Sequence, residues 1–289
     1  RALFNASTHR VVMPDVITSG TLLSVDSVVR TYSLPRNGVL GSRPNFNALD
    51  NVSFNISHGE RVGLVGESGC GKSTLTRAIL GVEDVQSGWI KLDGEPVFSG
   101  KRPNIDVRRK MQVVFQDPYG SFNPRHRVGR LVAEPLHVLE NAPVGKERNL
   151  AVSKALEDVG LSATDANKYI HEFSGGQRQR IAIARALIIE PELIIFDEAV
   201  SALDVSIRAQ VLDLIADLCQ KRPLAYLFIS HDLSVVRTVT DRVIVMQFGK
   251  IVEQGQTEQV FSNPQHAYTQ SLIAAAPKLP EVTYAIETV

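Results

Sequence analysis

Short apolar segments alternate along the chain with segments of helical spacing, and the two patterns predict a mixed α/β fold. Strands are predicted at 22–30, 52–56, 61–65, 89–92, 112–115, 193–196, 224–229 and 242–246. Helices are predicted at 73–80, 131–139, 146–159, 175–189 and 205–220. The last segment carries the i, i+3, i+4, i+7 spacing of an amphipathic helix, at Val211, Leu214, Ile215 and Leu218. Strands that alternate with helices imply a parallel sheet with right-handed crossovers.

The order of these elements predicts the domain organisation. Between residues 117 and 189 helices replace strands, so we expect a helical subdomain that is inserted into the sheet domain. The stretch 33–47 is rich in Pro, Gly, Asn and Ser and is therefore predicted to be a loop. The predicted parts are an N-terminal extension at 1–20, a core at 21–116 and 190–255 with a parallel sheet and antiparallel β elements, the helical subdomain at 117–189, and a C-terminal helical tail at 256–289.

Composition argues against several classes of function. The chain has 31 Lys and Arg residues and 31 Asp and Glu residues, so it lacks the basic excess of a nucleic-acid-binding protein, and we expect no nucleic-acid partner. The most apolar region, 181–196, is interrupted by Arg185, Glu190 and Glu192, so no membrane span is expected. The two cysteines, Cys70 and Cys219, are too few and too distant to predict a disulfide framework or a zinc site.

A phosphate-binding loop is predicted at residues 66–73, which fit the pattern G-x-x-x-x-G-K-[ST] between a strand and a helix. Glycines let the backbone turn so that several N–H groups point at one phosphate, and the helix that follows adds its positive dipole end. Lys72 is expected to reach the β- and γ-phosphates, and the Ser73 hydroxyl to bind Mg²⁺. The predicted nucleotide-binding residues here are Gly66, Glu67, Ser68, Gly69, Cys70, Gly71, Lys72, Ser73 and Thr74.

This loop predicts the core of a P-loop NTPase (RecA-like), but it does not choose among kinases, GTPases and ATPases. A guanine-binding protein would typically carry an N-K-x-D segment, and the Asn167-Lys168 pair is followed by Tyr169 and Ile170, which do not fit. The loop amides also surround Cys70, a setting that favours the thiolate and predicts that a thiol reagent blocks ATP binding. The alternative is that Cys70 is simply a small residue at a variable position.

A pair of carboxylates follows the apolar strand predicted at 193–196. Carboxylates at the carboxyl end of a strand lie where parallel sheets place their ligands. Asp197 is therefore expected to hold Mg²⁺, largely through its water ligands. Glu198 is expected to polarise the attacking water, as a general base or as a group that orients it.

A third motif begins the predicted helix at 175–189. Ser174, Gly175, Gly176 and Gln177 form an N-cap with exposed amides, which is an anion site. This segment resembles the signature of the ABC ATPase family, although Phe173 replaces the Leu that commonly precedes it. The motifs follow one another in the family's order, and the resemblance covers about 22–276.

The resemblance implies roles for further residues. Tyr32 is implied to stack on adenine, Gln116 to sense Mg²⁺ and the attacking water, Asp204 of the segment 201–204 to cross to a partner subunit, and His231 to face the γ-phosphate. A structural alternative stays open for each residue. Tyr32 could be a core tyrosine, Gln116 a turn residue and His231 a structural histidine. Asp204 could be a helix N-cap, a role that is compatible with crossing to the partner.

Within the family, the segments 114–125 and 266–273 resemble those of the dipeptide/oligopeptide importer ATPases. Some members carry a cysteine cluster near the C-terminus, and since no cysteine follows Cys219 we predict no iron–sulfur site. The group includes nickel and glutathione transporters, so the cargo stays open.

The resemblance also implies ATP hydrolysis, with ATP and Mg²⁺ as the ligands. The implied partners are a second ATPase domain arranged head to tail, integral membrane permease subunits, and an extracytoplasmic binding protein that acts indirectly. Ser174 and Gly176 would then serve the partner's ATP. The chain would lie at the cytoplasmic face of the membrane, with a groove beside 117–125 as the dock for a permease helix.

Two other functions compete with import. A soluble ABC protein of translation or DNA repair is possible, although the span 117–173 is too short for the coiled-coil insert of repair members. A regulatory half that binds ATP without hydrolysing it is the third interpretation, and the presence of Glu198 and His231 argues against it.

Overall fold

The architecture comes from a computed structural model, which describes residues 11–14, 19–34, 43–117 and 120–276. The strands are β1 Ser19–Ser33, β2 Asn45–His58, β3 Arg61–Val65, β4 Ser87–Leu92, β5 Glu95–Pro96, β6 Phe98–Ser99, β7 Arg102–Pro103, β8 Met111–Phe115, β9 Leu193–Asp197, β10 Ala225–Ile229, β11 Arg242–Gln247 and β12 Lys250–Gln256. The helices are α1 Lys72–Ile79, α2 Ile105–Arg109, α3 Val128–Val132, α4 Gly145–Asp158, α5 Gly175–Leu187, α6 Val205–Lys221, α7 Leu233–Val239, α8 Thr257–Ser262 and α9 Ala267–Ala275. Short 3-10 helices lie at Glu134–Val138, Ala163–Asn167 and Ile170–Glu172.

Two larger sheets carry the fold. The six-stranded sheet has the order β12-β11-β3-β10-β9-β8; its strands from β11 to β8 are parallel, and β12 is antiparallel to β11. The second sheet, β2-β1-β4-β5, is antiparallel. The predicted combination of a parallel core with antiparallel β elements is confirmed, and helices α3 to α5 all lie between β8 and β9.

The parallel strands are buried on both faces. Along β9, Ile194 and Phe196 belong to the hydrophobic cluster on one face, whereas Leu193 and Ile195 belong to the cluster on the other face. This alternation follows from the two-residue period of a strand. Continuous apolar segments such as Leu193–Asp197 are therefore what a sheet covered on both sides requires.

The sequence prediction was wrong at some boundaries and missed short elements. The helix predicted at 131–139 is interrupted, since α3 ends at Val132 and a 3-10 helix follows that contains Pro135, which lacks an N–H to continue an α-helix. The loop predicted at 33–47 overlaps the end of β1 and the start of β2, where Ser33 pairs with Asn45, and its residues 35–42 lie outside the described ranges. The strands β5, β6, β7 and β12 and the helices α2, α7 and α8 were not predicted, and 277–289 of the tail are not described. Within the described ranges, no helix combines the length and the apolar character that a membrane crossing needs.

A buried ion pair joins β3 to the start of β11. Arg61 donates from Nε and Nη2 to the Asp241 carboxylate at 2.8 and 2.7 Å, and its side chain is only 5% exposed. Burial alone would lower the pKa of Arg61, but the hydrogen bonds and charge of Asp241 raise it. The pair thereby fixes the beginning of β3, the strand that leads into the phosphate-binding loop.

We expect Asp241→Ala to lower the free energy of unfolding by about 3 kcal/mol, because the Arg61 guanidinium stays buried without its carboxylate. Urea unfolding followed by circular dichroism measures this loss. The matched control is Glu258→Ala, which breaks an exposed pair with Arg237 (2.6 Å) and should cost less than about 1 kcal/mol. Equal losses in the two variants would contradict the assignment.

Candidate functional site

The carboxyl ends of four parallel strands are aligned at one edge of the six-stranded sheet. Phe115 of β8 pairs with Asp197 of β9, Asp197 pairs with Ile229 of β10, and Ile229 pairs with Leu64 of β3. The residues that follow these strands therefore lie along the same edge. Among them are four of the predicted site positions: Gly66, Gln116, Glu198 and His231.

Tight packing sets the shape of the loop from Gly66 to Ser73. Gly66 and Gly71 adopt φ angles of 151° and 114°, which disfavour residues with a side chain. A Cβ on Gly66 would lie 2.2 Å from the Met246 carbonyl oxygen, and a Cβ on Gly71 would lie 2.3 Å from the Ala48 carbonyl oxygen. The loop therefore requires glycine at both positions, and it is enclosed between β11 and β2.

Lys72 closes this loop from the inside. Its ammonium group donates to the carbonyl oxygens of Gly66 and Glu67 at 2.7 and 2.9 Å, and the residue is 7% exposed. Lys72 is also the first residue of α1, whose first N–H groups have no partner within the helix. The next residue, Ser73, is exposed, while Thr74 is buried. The arrangement supplies a cation, helix amides and a hydroxyl at one place, which is the donor set that a phosphate group needs.

Two carboxylates lie at the carboxyl end of β9, which is separated from β3 by β10. Burial, and then the charge of Glu198, raise the pKa of Asp197, while Lys72 and Arg77 act in the opposite direction. Glu198 has a φ of 52°, a conformation that costs a non-glycine residue about 1–3 kcal/mol, and its N–H donates to the Ile229 carbonyl oxygen at 2.9 Å. His231 Nδ1 lies 3.4 Å from Glu198 Oε2. The fold thus holds Glu198 in a strained position beside His231.

The donor set fits Mg²⁺. Ser73, Asp197 and Gln116 supply oxygen atoms, and Mg²⁺ prefers one or two such ligands together with water and substrate phosphates. Among the described residues, no group of three or more His, Cys, Asp or Glu side chains could hold a metal by itself. Gln116 is exposed directly after β8.

An ion pair that the sequence analysis did not predict fixes the loop that carries His231. Arg208 of α6 donates to Asp232 at 2.6 Å and to the Leu203 carbonyl oxygen at 3.2 Å. Asp232 also caps α7 by accepting from the N–H groups of Ser234 and Val235. The cap at Asp232 was missed together with α7, and its pairing with Arg208 has no local signal in the sequence.

Tyr32 lies in a charged cluster at the end of β1. Its hydroxyl donates to Glu83 at 2.6 Å, and the Arg30 guanidinium lies 4.9 Å from the ring centroid. Burial alone would raise the pKa of Glu83, but hydrogen bonds from Tyr32, Arg77 and Arg30 lower it. Arg30 thus lies over one face of the half-buried ring, and the adenine stacking predicted for Tyr32 stays a prediction. Arg77, on α1, joins this cluster to the helix that carries Lys72.

The Ser174–Gln177 segment forms a capping box at the start of α5. The Ser174 hydroxyl accepts from the Gln177 N–H at 3.4 Å, and the Gln177 side chain accepts from the Ser174 N–H at 3.0 Å. Gly175 has open space, whereas a Cβ on Gly176 would lie 2.3 Å from the Ile207 side chain of α6. Gly176 is therefore also a packing requirement. Throughout the described ranges, no hydrogen bond joins this segment to the phosphate-binding loop.

The surroundings of Asp204 and of the two cysteines show what each side chain contacts. Asp204 caps α6, since its side chain accepts from the Ile207 N–H at 3.0 Å. Cys70 is 5% exposed, with its sulfur 3.8 Å from the Lys72 ammonium group, so a thiol reagent would reach it only if the loop opened. At Cys219, burial raises the pKa to about 11, so this thiol is a poor nucleophile at neutral pH.

Two family models match the chain. The model described as ABC transporter matches residues 49–201, which include the loop, Gln116, the signature segment and both carboxylates. The model described as the C-terminal region of the oligopeptide/dipeptide transporter matches residues 252–288.

Relatives and solved structures agree with these models. The chain is 48% identical over 265 residues to the oligopeptide transport ATP-binding protein OppF of Bacillus subtilis (strain 168), covering 91% of this chain and 84% of that protein. It is 46% identical over 252 residues to the dipeptide transport ATP-binding protein DppF of Haemophilus influenzae, covering 87% of this chain and 77% of that protein.

Among solved structures, the chain resembles the dimeric ATP-binding cassette MJ0796 bound to ADP and Pi, with a TM-score of 0.70, 28% identity, and coverage of 82% of this chain and 99% of that chain. It also resembles cbiO1 of Clostridium perfringens, described as part of the ABC transporter complex cbiONQ, with a TM-score of 0.72, 27% identity, and coverage of 85% of this chain and 92% of that chain. The matched models and relatives, with the site geometry, show that this chain belongs to the ABC transporter family, as one of its ATP-binding and ATP-hydrolysing cassettes.

Proposed function

We propose that this chain is the ATPase subunit of a peptide importer and that it works as one half of a head-to-tail dimer at the cytoplasmic face of the membrane. The observation that carries the peptide assignment is the match of residues 252–288 to the C-terminal region of oligopeptide/dipeptide transporters, beside the ATPase match at 49–201. The names of the Bacillus and Haemophilus relatives support the same substrate class. The extracytoplasmic binding protein would act indirectly, through the permease.

The proposed reaction follows from the aligned strand ends. Lys72, the amides of the loop and the start of α1 would hold the triphosphate. Ser73, Asp197 and Gln116 would hold Mg²⁺, which would supply positive charge beside the phosphates. Glu198 accepts a hydrogen bond from the attacking water and orients it toward the γ-phosphorus. His231 is 61% exposed on its side chain and is available to the γ-phosphate from the open side of the site.

The geometry of the signature segment supports a dimer. Ser174, Gly175 and Gln177 are exposed at the start of α5, and they make no hydrogen bond to the phosphate-binding loop within the described ranges. Helix amides at such a position favour an anion. A second copy's nucleotide would satisfy them, and its γ-phosphate would then join the two chains. ADP offers no such bridge, so hydrolysis opens the pair.

An exposed apolar surface supports docking of a permease helix. Val82, Ile105 and Phe115 are 61%, 50% and 43% exposed, which is unusual for large apolar side chains lying together. A cavity of about 350 Å³ lies among them. Its apolar lining also includes Leu80, Met111, Val113 and Val138, and its polar lining consists of Arg108, Arg109 and Gln112. It borders Phe115, one residue before Gln116, so an apolar helix in this cavity would contact the strand that leads to the active edge. The segment 117–125, beside which the sequence predicts a docking groove, begins two residues after Phe115; Pro118 and Tyr119 are outside the described ranges.

Uptake assays in the source strain test the peptide assignment. Deletion of the gene should abolish uptake of a labelled tri- to pentapeptide mixture, and the wild-type gene should restore it, while the Glu198→Gln gene should not. Loss of nickel uptake with normal peptide uptake would instead favour a metal importer. Normal uptake of both, with a defect in translation or DNA repair, would favour a soluble ABC protein.

Glu198→Gln should bind ATP with an affinity within about twofold of wild type but hydrolyse it about 10²- to 10³-fold more slowly, because the water loses the carboxylate that orients it. Phosphate release measures turnover, and size-exclusion chromatography with Mg-ATP should show a stable dimer. Glu190→Gln is the matched control, since Glu190 precedes β9 at the opposite end and has a similar φ of 51°. Wild-type turnover in Glu198→Gln would remove Glu198 from the proposed mechanism.

Lys72→Ala should weaken ATP binding by about 10- to 100-fold, since it removes a charge-assisted hydrogen bond to phosphate. Isothermal titration with a slowly hydrolysed ATP analogue gives the dissociation constant. Lys91→Ala is the control, because Lys91 lies on β4 over the Trp89 ring and outside the proposed site. An unchanged constant in a folded Lys72→Ala protein would contradict the assignment of the loop.

A further inference from the structure

The phosphate-binding loop is held from the outside as well as from the inside. Lys72 donates to the carbonyl oxygens of Gly66 and Glu67 from within the loop. From the other side, the Glu67 N–H donates to the hydroxyl oxygen of Tyr268 at 2.9 Å. The two residues are 201 positions apart, and Tyr268 lies in the segment that matches the oligopeptide/dipeptide C-terminal region. None of the site residues predicted from the sequence lies in this C-terminal segment.

Tyr268 is itself held in place by the β12 strand. The Glu253 carboxylate of β12 accepts from the N–H groups of Gln265 and His266 at 2.8 and 3.0 Å. Burial would raise the pKa of Glu253, but these backbone bonds contribute to lowering it. His266 then caps α9, since its Nδ1 accepts from the Tyr268 N–H at 3.2 Å. A continuous set of hydrogen bonds therefore leads from β12 to the phosphate-binding loop.

Packing adds to this attachment. Tyr268, Leu272 and Ile273 of α9 pack against the hydrophobic cluster that includes Phe196 and Phe228, and Thr269 is 1% exposed. Burial raises the pKa of the Tyr268 hydroxyl, which therefore stays neutral. A neutral acceptor suits the rim of an anion site, because it satisfies the Glu67 amide without placing a negative charge near the phosphates.

Nucleotide binding makes the outer contact more important. A lysine ammonium group has three donors, and two of those on Lys72 are directed at the loop's own carbonyl oxygens. When Lys72 turns toward a phosphate, the loop loses part of this inner support. The bond from Glu67 to Tyr268 does not involve Lys72, so it is independent of that movement.

We propose that Tyr268 is a positioning residue for ATP binding: its hydroxyl fixes the Glu67 peptide, so that the C-terminal segment sets the affinity of the phosphate-binding loop. The proposal rests on nucleotide binding at the loop from Gly66 to Ser73. It assigns the C-terminal segment a role within the ATPase cycle of its own chain, in addition to any role in contacting other subunits.

Tyr268→Phe tests the proposal, since it removes the hydroxyl and keeps the ring. The loss of one neutral hydrogen bond should weaken binding of a slowly hydrolysed ATP analogue by about 3- to 10-fold and raise KM for ATP similarly, with kcat within about twofold. Hydrogen exchange should become faster at the Glu67 amide. The melting temperature should stay within a few degrees, because the ring still packs.

Tyr226→Phe is the matched control. The Tyr226 hydroxyl is fully buried and donates to the Val239 carbonyl oxygen, far along the chain from the loop. Its loss should lower the melting temperature and leave KM for ATP unchanged. The proposal is overturned if Tyr268→Phe binds the analogue like wild type, or if it loses stability and affinity together as a merely structural variant would. Failure of the wild-type protein to bind the analogue would instead overturn the nucleotide site, and the positioning role with it.

Discussion

The structure depends on one constraint: backbone N–H groups must be held open around a phosphate at the start of α1. The loop achieves this through its glycines, and those glycines pack against backbone carbonyls of distant strands, Gly66 against Met246 and Gly71 against Ala48. The Gly249 N–H, in the turn between β11 and β12, donates to the Cys70 carbonyl oxygen at 2.9 Å. The antiparallel elements are thus part of the phosphate site, because they form the walls that fix the loop.

The same sheet register places charge where the reaction needs it. Asp197 lies at the paired ends of β8, β9 and β10, and burial raises its pKa. A buried carboxylate of this kind is best stabilised by a nearby cation, which Mg²⁺ would supply. Glu198 adopts its strained backbone conformation one residue further, where its N–H is fixed by β10. Strain that the surrounding strands impose is consistent with a side chain that must point into the site.

Sequence alone predicted those features whose cause is local. The phosphate-binding loop, the acidic strand end and the cap at Ser174 each need a few adjacent residues, so their chemistry is visible in short motifs. The end of α3 also has a local cause, since Pro135 lacks the N–H that an α-helix needs to continue. The pairs Arg208–Asp232 and Tyr268–Glu67 were beyond sequence reasoning, because only the folded sheet brings their elements together. The site assignments themselves stay predictions until variants are measured.

In the proposed dimer, the surface that faces the partner is mechanically connected to the catalytic edge within the same chain. Gly176 of the signature helix packs on Ile207, which belongs to the helix that Asp204 caps. One residue further, Arg208 holds both Leu203 and Asp232, the neighbour of His231. On the other side of the signature helix, Arg185 donates to the Ser121 carbonyl oxygen and lies over the Phe122 ring, in the segment that follows Gln116. Side-chain contacts therefore run within one chain from the signature helix to the residue beside His231 and to the segment that follows Gln116.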